Sequence, residues 1–246
     1  MICNKKKLWM DAKWPAPKNI KAGVSMRMGG YSKHPYNELN LSLNVGDNVN
    51  NVKKNRDALL THLNLPNDPI WLEQTHDRKI LSIDDIPKNL KADASYTTQK
   101  NRVCVVTTAD CVPILLCDTK KNKVAAIHAG WRGICKGIIE DTIKIFSSTK
   151  SLIVWIGPCI SQEHYQVSKD VYYAFLEHSK LLESAFKKDD DHWHCSLSDA
   201  VKITLINLGI NQIYESGLCT YQMHNEFFSY RRDGETGRIA TMIWIN

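Results

Sequence analysis

The sequence predicts an α/β fold in which mixed β-sheets are layered with helices. Apolar runs rich in β-branched residues alternate with amphipathic segments along the 246 residues, as strands alternating with helices do. Several neighbouring strand-like runs have no helix between them, which favours mixed over purely parallel sheets. No Pro-, Gly- or Ser-rich linker interrupts the chain. We therefore expect one domain over residues 1–246.

The first third of the chain predicts short strands around one helix. Residues 21–28 alternate as a strand and stop at a Gly-Gly pair, and the polar residues 37–47 form a loop. Residues 49–63 carry apolar side chains near helical spacing, which predicts an amphipathic helix. Residues 70–74 and 79–83 then predict two short strands.

The central and final parts predict the bulk of the sheet. Residues 102–108 and 112–117 are apolar and β-branched, which is typical of strands buried on both faces. A further strand at 124–128 runs into a helix that begins near Gly130 and carries one apolar stripe to about residue 147. The remaining predicted elements are strand 152–156, helices 167–178 and 197–208, and strands 211–215 and 239–245.

Composition limits the class of protein. The chain is 43% hydrophobic and 24% charged, which is typical of a globular domain and argues against disorder. The net charge of +6 permits anionic ligands but is too small to indicate a nucleic-acid partner.

No run approaches the roughly 18 to 20 apolar residues of a membrane span. The basic run at residues 5–7 is followed by three apolar residues only, too few for a signal peptide. We expect a cytoplasmic protein.

Eight cysteines need an explanation. They lie at positions 3, 104, 111, 117, 135, 159, 195 and 219, with no Cys-x-x-Cys pair among them. In a cytosolic chain of this length we expect most to be free thiols packed in the core. At most one or two should take part in chemistry.

Three segments at predicted strand ends combine zinc-type ligands. They contribute His76, Cys111 and His128, and imidazole and thiolate are preferred ligands of zinc. Three protein ligands leave a fourth tetrahedral position for water, whose pKa the ion lowers toward about 7. The spacings match no local zinc-finger pattern. The alternative is two independently hydrogen-bonded histidines and a packed thiol.

A rival metal candidate is the segment His192 to Cys195. Surface histidines at a hairpin tip are the simpler explanation of that segment.

Arginines provide the candidate anion-binding groups. Three arginines lie around Asp-Gly and Thr-Gly turns, where guanidinium groups could bind an anion bidentately: Arg231, Arg232 and Arg238. A solvated hairpin explains the same pattern. Arg27 precedes a Gly-Gly pair, a weak phosphate signal that lacks the spacing of a nucleotide fingerprint. Arg132 follows His128 at the strand-to-helix junction.

These segments together resemble the YfiH-like family, also called the multicopper polyphenol oxidase or laccase family and described as purine nucleoside phosphorylases. The resemblance runs from about residue 25 to residue 244. The matching blocks lie at residues 27–32, 40–42, 45–47, 55–56, 72–76, 108–113, 128–133, 156–158, 219–220, 227–234 and 236–238. So many blocks in the same order make chance similarity implausible.

The resemblance implies one zinc ion held by His76, Cys111 and His128. It also implies a domain with mixed sheets akin to the catalytic domain of the cytotoxic necrotizing factor toxins. The implied activities are phosphorolysis of adenosine, inosine, guanosine and 5′-methylthioadenosine, and hydrolytic deamination of adenosine. Two positions depart from the family pattern: Gln166 stands where many relatives carry Glu, and Ser196 where Asp is common.

The main hypothesis is therefore a zinc-dependent purine nucleoside enzyme with nucleosides and phosphate as its partners. Phosphorolysis requires a phosphate held by cationic donors, for which Arg27, Arg132, Arg231 and Arg232 are the candidates. A copper-dependent polyphenol oxidase is one alternative, because a His₂Cys set also suits copper. A zinc-stabilised, non-enzymatic binding module is the other. We expect neither a nucleic-acid nor a membrane partner.

Overall fold

The computed structural model describes residues 7–85 and 87–246, so Cys3 and the start of the basic run at residues 5–7 lie outside the described part. The α-helices there are α1 (Val49–Leu63), α2 (Trp131–Cys135), α3 (Ile138–Lys144), α4 (Lys169–His178), α5 (Leu197–Asn207) and α6 (Tyr230–Asp233). Short 3₁₀ helices occupy Thr149–Ser151, Gln162–His164 and Lys180–Ala185. No helix in these two ranges is long and apolar enough to cross a membrane.

The strands form three sheets within the described residues. The first has the order β1 (Trp9–Asp11), β2 (Ile20–Ser25), β14 (Ile239–Ile245), β6 (Val103–Thr108) and β3 (Ile70–Trp71). The second has the order β13 (Ile213–Glu215), β9 (Leu152–Ile156), β7 (Val112–Asp118), β8 (Lys123–Ala129), β5 (Ala94–Thr97) and β4 (Ile80–Ser82). The third joins β10 (Gln166–Val167), β12 (His192–Cys195) and β11 (Phe186–Asp189).

Strand pairing confirms the expectation of mixed sheets. β3 runs parallel to β6, β4 to β5, and β13 to β9, whereas the other pairs are antiparallel. The mixed α/β class is therefore confirmed. The likeness to the toxin domain stays a prediction.

The two large sheets face each other between outer layers of helices. Along β7, Leu115 and Cys117 belong to the apolar cluster shared with the first sheet. Ile114 and Leu116 belong to the cluster formed with helices α2 to α5. Successive side chains of a strand point to opposite faces, so a strand between two apolar layers must be apolar throughout. This position explains the continuous apolar runs of β7 and β8. The far face of the first sheet is covered by α1 through Leu59.

Two predicted elements differ in kind from the structure, and others differ in their bounds. The strand predicted at 70–74 is only β3 (Ile70–Trp71), and the helix predicted at 167–178 begins at Lys169 because Val167 belongs to β10. The single helix expected from Gly130 to about residue 147 is two helices, α2 and α3, separated by Gly137 with φ +86°. A right-handed helix cannot continue through that left-handed conformation, which glycine adopts at little cost. The segment after Tyr230, considered as a hairpin, begins instead with the single turn α6. By contrast, helix 49–63 and strands 152–156 and 239–245 are confirmed residue for residue.

Candidate metal centre

Three strand ends bring His76, Cys111 and His128 together. His76 lies in the loop after β3, Cys111 in the tight turn between β6 and β7, and His128 within β8. β7 pairs with β8 so that Val112 faces Ala129 and Pro113 faces His128. This antiparallel register brings the turn containing Cys111 beside the end of β8. The segments are distant in sequence, and sheet pairing makes them neighbours.

The three side chains have the geometry of a metal-binding group. Their ligand atoms all lie within 4.8 Å of one another. The two imidazole rings are 4.7 Å apart, edge to face at 84°. His128 is buried, Cys111 is half-buried and His76 is exposed, so the group opens to solvent on one side. Two imidazoles and one thiol form a donor set that suits zinc, and they leave room for a further ligand.

Gly130 provides the space in which the group assembles. A Cβ atom built there would lie 3.1 Å from Cys111 Sγ and 3.2 Å from His76 Cδ2. Both distances are tighter than ordinary van der Waals contact. Even an alanine there would require the thiol and the imidazole to shift by a few tenths of an ångström.

Asp93 contacts two of the three candidate ligands, although no sequence motif singles it out. Its carboxylate is fully buried and accepts a hydrogen bond from His128 Nδ1 at 2.7 Å. The same carboxylate accepts the backbone N–H groups of residues 75, 76 and 77 at 3.1, 3.0 and 2.9 Å. The available signal was a lone acidic residue between Ala92 and Ala94, directly before a strand that the sequence analysis did not recognise.

Electrostatics favours the ligating form of the thiol. Burial alone would raise the pKa of Cys111, but the adjacent His128 and His76 imidazoles lower it to about 6. Burial disfavours the charged form of His128, but the neighbouring Cys111 thiolate and Asp93 favour that form more strongly. The pKa of the His128 imidazole is therefore raised to about 9. Burial likewise opposes the charge of Asp93, yet its hydrogen bonds lower the pKa of that carboxyl to about 2. The thiolate is the form of cysteine that binds metals.

A cavity of about 430 Å³ lies over the group, within the usual size range of small-molecule sites. Gln74, Tyr230 and Arg238 line it together with the three candidate ligands. The Gln74 amide accepts from Thr107 N at 2.7 Å and donates to Thr107 O at 2.8 Å, which ties the loop containing His76 to β6. A larger groove of about 910 Å³ adjoins the cavity through residues 42, 44, 72 and 107.

The four predicted phosphate-binding arginines lie outside the residues that line this cavity. Arg232 donates to both oxygens of Asp233 and to the carbonyls of residues 220, 221 and 227. Arg27 donates to the carbonyls of residues 37 and 224 and contacts Asp233 at 3.5 Å. Arg231 donates to the Gln166 carbonyl, and the exposed Arg132 stacks on Trp131.

Arg238, by contrast, lines the cavity. Its Nη1 group donates to the carbonyls of Thr236 and Gly237 at 2.7 and 2.9 Å, which fixes the guanidinium in place. Burial lowers its pKa, against the opposing effect of the nearby Cys111 and Asp110. Arginine nevertheless keeps its charge in proteins. The sequence pattern includes Arg238 among the three arginines around the C-terminal turns that could bind an anion, although the four phosphate candidates do not include it.

The other acidic residues near the group have separate partners. Asp110 accepts from Thr220 Oγ1 at 2.7 Å and from the Arg231 N–H at 2.6 Å, so it joins the β6–β7 turn to the C-terminal segment. Glu73 forms an exposed ion pair with Lys91 at 3.7 Å. Neither side chain is among those that line the cavity.

The rival metal candidate and the two family departures also have local explanations. His194 contacts Asp189 Oδ2 and the Gln162 carbonyl, each at 3.1 Å. In the described residues, no metal-type group of three includes the histidines of β12. Ser196 accepts from the Asp199 N–H as the N-cap of α5, a task that Asp performs equally well. Gln166 is exposed at the edge of β10.

Comparison with known proteins places the chain in a family. Residues 21–246 match the family described as multi-copper polyphenol oxidoreductase laccase, and the chain belongs to that family. The chain is 44% identical over 240 residues to a purine nucleoside phosphorylase of Haemophilus influenzae, which covers 96% of this chain and 98% of that protein. It is 40% identical over 234 residues to purine nucleoside phosphorylase YfiH of Escherichia coli, covering 94% and 96%.

Solved structures agree with this placement. Neisseria meningitidis protein NMB0706 superposes with a TM-score of 0.93 at 35% identity, covering 98% of this chain and 100% of the other. YlmD from Geobacillus stearothermophilus gives 0.89 at 28% identity, covering 98% and 97%. The family resemblance inferred from the sequence is therefore confirmed.

Proposed function

We propose that this protein is a zinc-dependent purine nucleoside phosphorylase. The observation that carries the proposal is the His76–Cys111–His128 group on the wall of a cavity that also presents Arg238. The names of the relatives support this reaction class. The proposed substrates are adenosine, inosine, guanosine and 5′-methylthioadenosine together with inorganic phosphate.

The reaction joins a phosphate oxygen to ribose C1′ as the N-glycosidic bond breaks, and the proton lost by hydrogen phosphate is taken up by the leaving base. The products are the free base and ribose 1-phosphate, or 5-methylthioribose 1-phosphate when 5′-methylthioadenosine is the substrate. A bound zinc ion would supply Lewis-acid stabilisation of developing negative charge. Arg238 binds and orients phosphate through the guanidinium edge that the Thr236 and Gly237 carbonyls leave free. Tyr230, which is 60% exposed and lines the cavity, offers an aromatic face on which the purine can stack.

We assign phosphate binding to Arg238 in place of the four candidates Arg27, Arg132, Arg231 and Arg232. Arg27 and Arg232 already donate to carbonyl groups and to Asp233, and a guanidinium engaged in this way has few donors left for a ligand. Arg132 and Arg231 stay candidates for a peripheral role. Adenosine deamination is a second proposed activity of the same cavity.

The decisive experiment is an incubation series with zinc-loaded protein. Adenosine or inosine is supplied with and without phosphate, and products are separated by chromatography. We expect adenine or hypoxanthine to appear only with phosphate, and Cys111→Ala to abolish both zinc binding and product formation. Cys135→Ala is the matched control, because that half-buried thiol lies in α2 outside the metal-binding group.

Three other outcomes would contradict the proposal. Inosine formed from adenosine without any free base would identify a deaminase. Oxygen-dependent oxidation of a phenol by the copper-loaded protein, without phosphorolysis, would favour the polyphenol oxidase alternative. Absence of all three reactions in a fully metal-loaded wild type would favour a binding module.

A further inference from the structure

We propose that Asp93 is a positioning residue that fixes two of the three metal ligands at once. This inference rests on the metal site of the proposed function, and it assigns Asp93 no part in the chemical step. The carboxylate is fully buried and accepts hydrogen bonds from His128 and from the loop that contains His76. These two ligands come from different elements, so one side chain couples them.

The contact with His128 selects the nitrogen that ligates. β5 and β8 pair so that Ala94 faces Ile127, and the His128 N–H donates to the Asp93 carbonyl at 2.7 Å. Backbone pairing therefore holds Asp93 beside the imidazole before any side-chain contact forms. Because Nδ1 donates to the carboxylate at 2.7 Å, Nε2 is the nitrogen left for a metal. A Cβ atom at Gly130 would lie 3.8 Å from that Nε2 and 3.1 Å from Cys111 Sγ, so both atoms border the space at Gly130.

The contact with the His76 loop fixes the second ligand. Three successive N–H groups, those of residues 75 to 77, converge on the Asp93 carboxylate within 2.9–3.1 Å. Thr75 Oγ1 adds a fourth donor at 3.2 Å. His76 adopts φ +57°, a left-handed conformation that non-glycine residues seldom occupy. The converging hydrogen bonds hold this turn in the conformation that directs the exposed imidazole toward Cys111.

Substitution of Asp93 should give one result if its carboxylate only stabilises the fold and another if it positions the metal ligands. Residues that do not bind the metal themselves, but orient a ligating histidine through a hydrogen bond, raise metal affinity about 10- to 100-fold. A carboxylate that only stabilises the fold would change the unfolding midpoint and leave metal affinity unaltered. The two roles are separated by measuring affinity and stability on the same variants.

The test compares Asp93→Asn with Asp84→Asn in the full chain. Asp84 is the matched control, because it also accepts hydrogen bonds from another segment of the chain, those of Thr97 at the end of β5 and of Thr98, without contacting a candidate ligand. Zinc affinity is measured by competition with a chromophoric chelator, and folding by circular dichroism. We expect Asp93→Asn to bind zinc about 10- to 100-fold more weakly and to give an altered Co²⁺ ligand-field spectrum, and Asp84→Asn to match wild type in both.

Two further measurements keep the inference falsifiable if Asp93→Asn does not fold. Thr75→Val removes one donor to the carboxylate, and we expect it to weaken zinc binding several-fold. In the Co²⁺-loaded wild type, we expect one paramagnetically shifted imidazole N–H that exchanges slowly with D₂O, because His128 Nδ1–H is buried against Asp93.

Equal zinc affinity and unchanged Co²⁺ spectra in Asp93→Asn and Thr75→Val would overturn the inference, as would absence of the slowly exchanging N–H. A wild type that binds no metal would overturn it together with the metal site. A wild type that binds zinc but performs no phosphorolysis would refute the proposed function alone.

Discussion

Among single residues, Gly130 is the position where the addition of one methyl group should weaken zinc binding most. Gly130→Ala places a Cβ atom 3.1 Å from Cys111 Sγ and 3.2 Å from His76 Cδ2. The backbone at Gly130 is extended, with φ −76° and ψ 164°, so alanine adds no backbone strain. We expect zinc affinity to fall at least 10-fold while the free energy of unfolding of the metal-free protein changes by less than about 1 kcal/mol.

Gly133→Ala is the control for that prediction. The nearest atoms to a Cβ there are 3.5 Å away, an ordinary contact, and Gly133 lies within α2. We expect this variant to bind zinc like wild type and to gain about 0.5–1 kcal/mol of stability from its helical position. Equal metal affinity in both variants, measured by chelator competition, would show that the space at Gly130 is unimportant.

Substitution of Arg238 tests whether this side chain binds phosphate. Arg238→Gln removes the charge that lines the cavity, whereas Arg132→Gln removes an exposed charge that does not. We expect the KM for phosphate to rise about 10-fold or more only in Arg238→Gln, since charge-assisted hydrogen bonds contribute about 1.5–3 kcal/mol. Steady-state kinetics with varied phosphate at saturating inosine measures this. A larger effect from Arg132→Gln would move the phosphate site away from the cavity.

At the element scale, Asp84 connects the end of β4 to the end of β5. Burial opposes its charge, but hydrogen bonds from Thr97 and Thr98 outweigh that effect and lower the pKa of the carboxyl below its ordinary value. A lowered pKa in the folded state stabilises the protein above the unfolded-state value of about 3.9, and this stabilisation is lost as the pH falls through the folded-state pKa.

We therefore expect Asp84→Asn to cost about 1 kcal/mol near neutral pH, and the difference from wild type to shrink on acidification below about pH 5. Urea unfolding at pH 7, 5, 4 and 3 measures it. An exposed carboxylate in the loop before β3, Asp68, supplies the control variant Asp68→Asn. A difference that grows as the pH falls would have the wrong sign for this explanation.

Comparison of α1 with β5 shows which elements a local sequence pattern can predict. Helix α1 is confirmed because its apolar spacing and its Asn48 cap are local properties of the chain. β5 was missed because its four residues carry no clear alternation and gain their strand conformation by pairing with β4 and β8. With that strand unrecognised, Asp93 had no predicted position relative to His128.

At the scale of the whole molecule, the metal-binding group lies on a scaffold with its own apolar core. The residues between the two large sheets and beneath the helices are buried without any contribution from the three candidate ligands. We therefore expect chelation to leave the far-ultraviolet circular dichroism unchanged and to lower the Tm by about 5–10 °C, reversibly on adding zinc. That shift corresponds to about 2.7 kcal/mol at zinc 100-fold above its Kd.

Cooperative unfolding upon chelation would contradict this expectation. A structural zinc contributes folding free energy outright, so its removal unfolds the domain. Such a result would support the zinc-stabilised binding module. Calorimetry with and without chelator distinguishes the two cases, and Cys111→Ala, which lacks a ligand, should melt at the same temperature with and without zinc.

Local features of the chain are enough to predict the mixed α/β class, the family and the three candidate metal ligands. Apolar periodicity, turn residues and ordered blocks containing His76, Cys111 and His128 carry this information. Which side chains accompany those ligands depends on the fold. Asp93 accepts hydrogen bonds from His128 and from the His76 loop, and Arg238 lines the cavity, whereas Arg27 and Arg232 have partners elsewhere. Strand register and side-chain hydrogen bonds set these distances between residues far apart in the chain, and a sequence pattern contains no such distances.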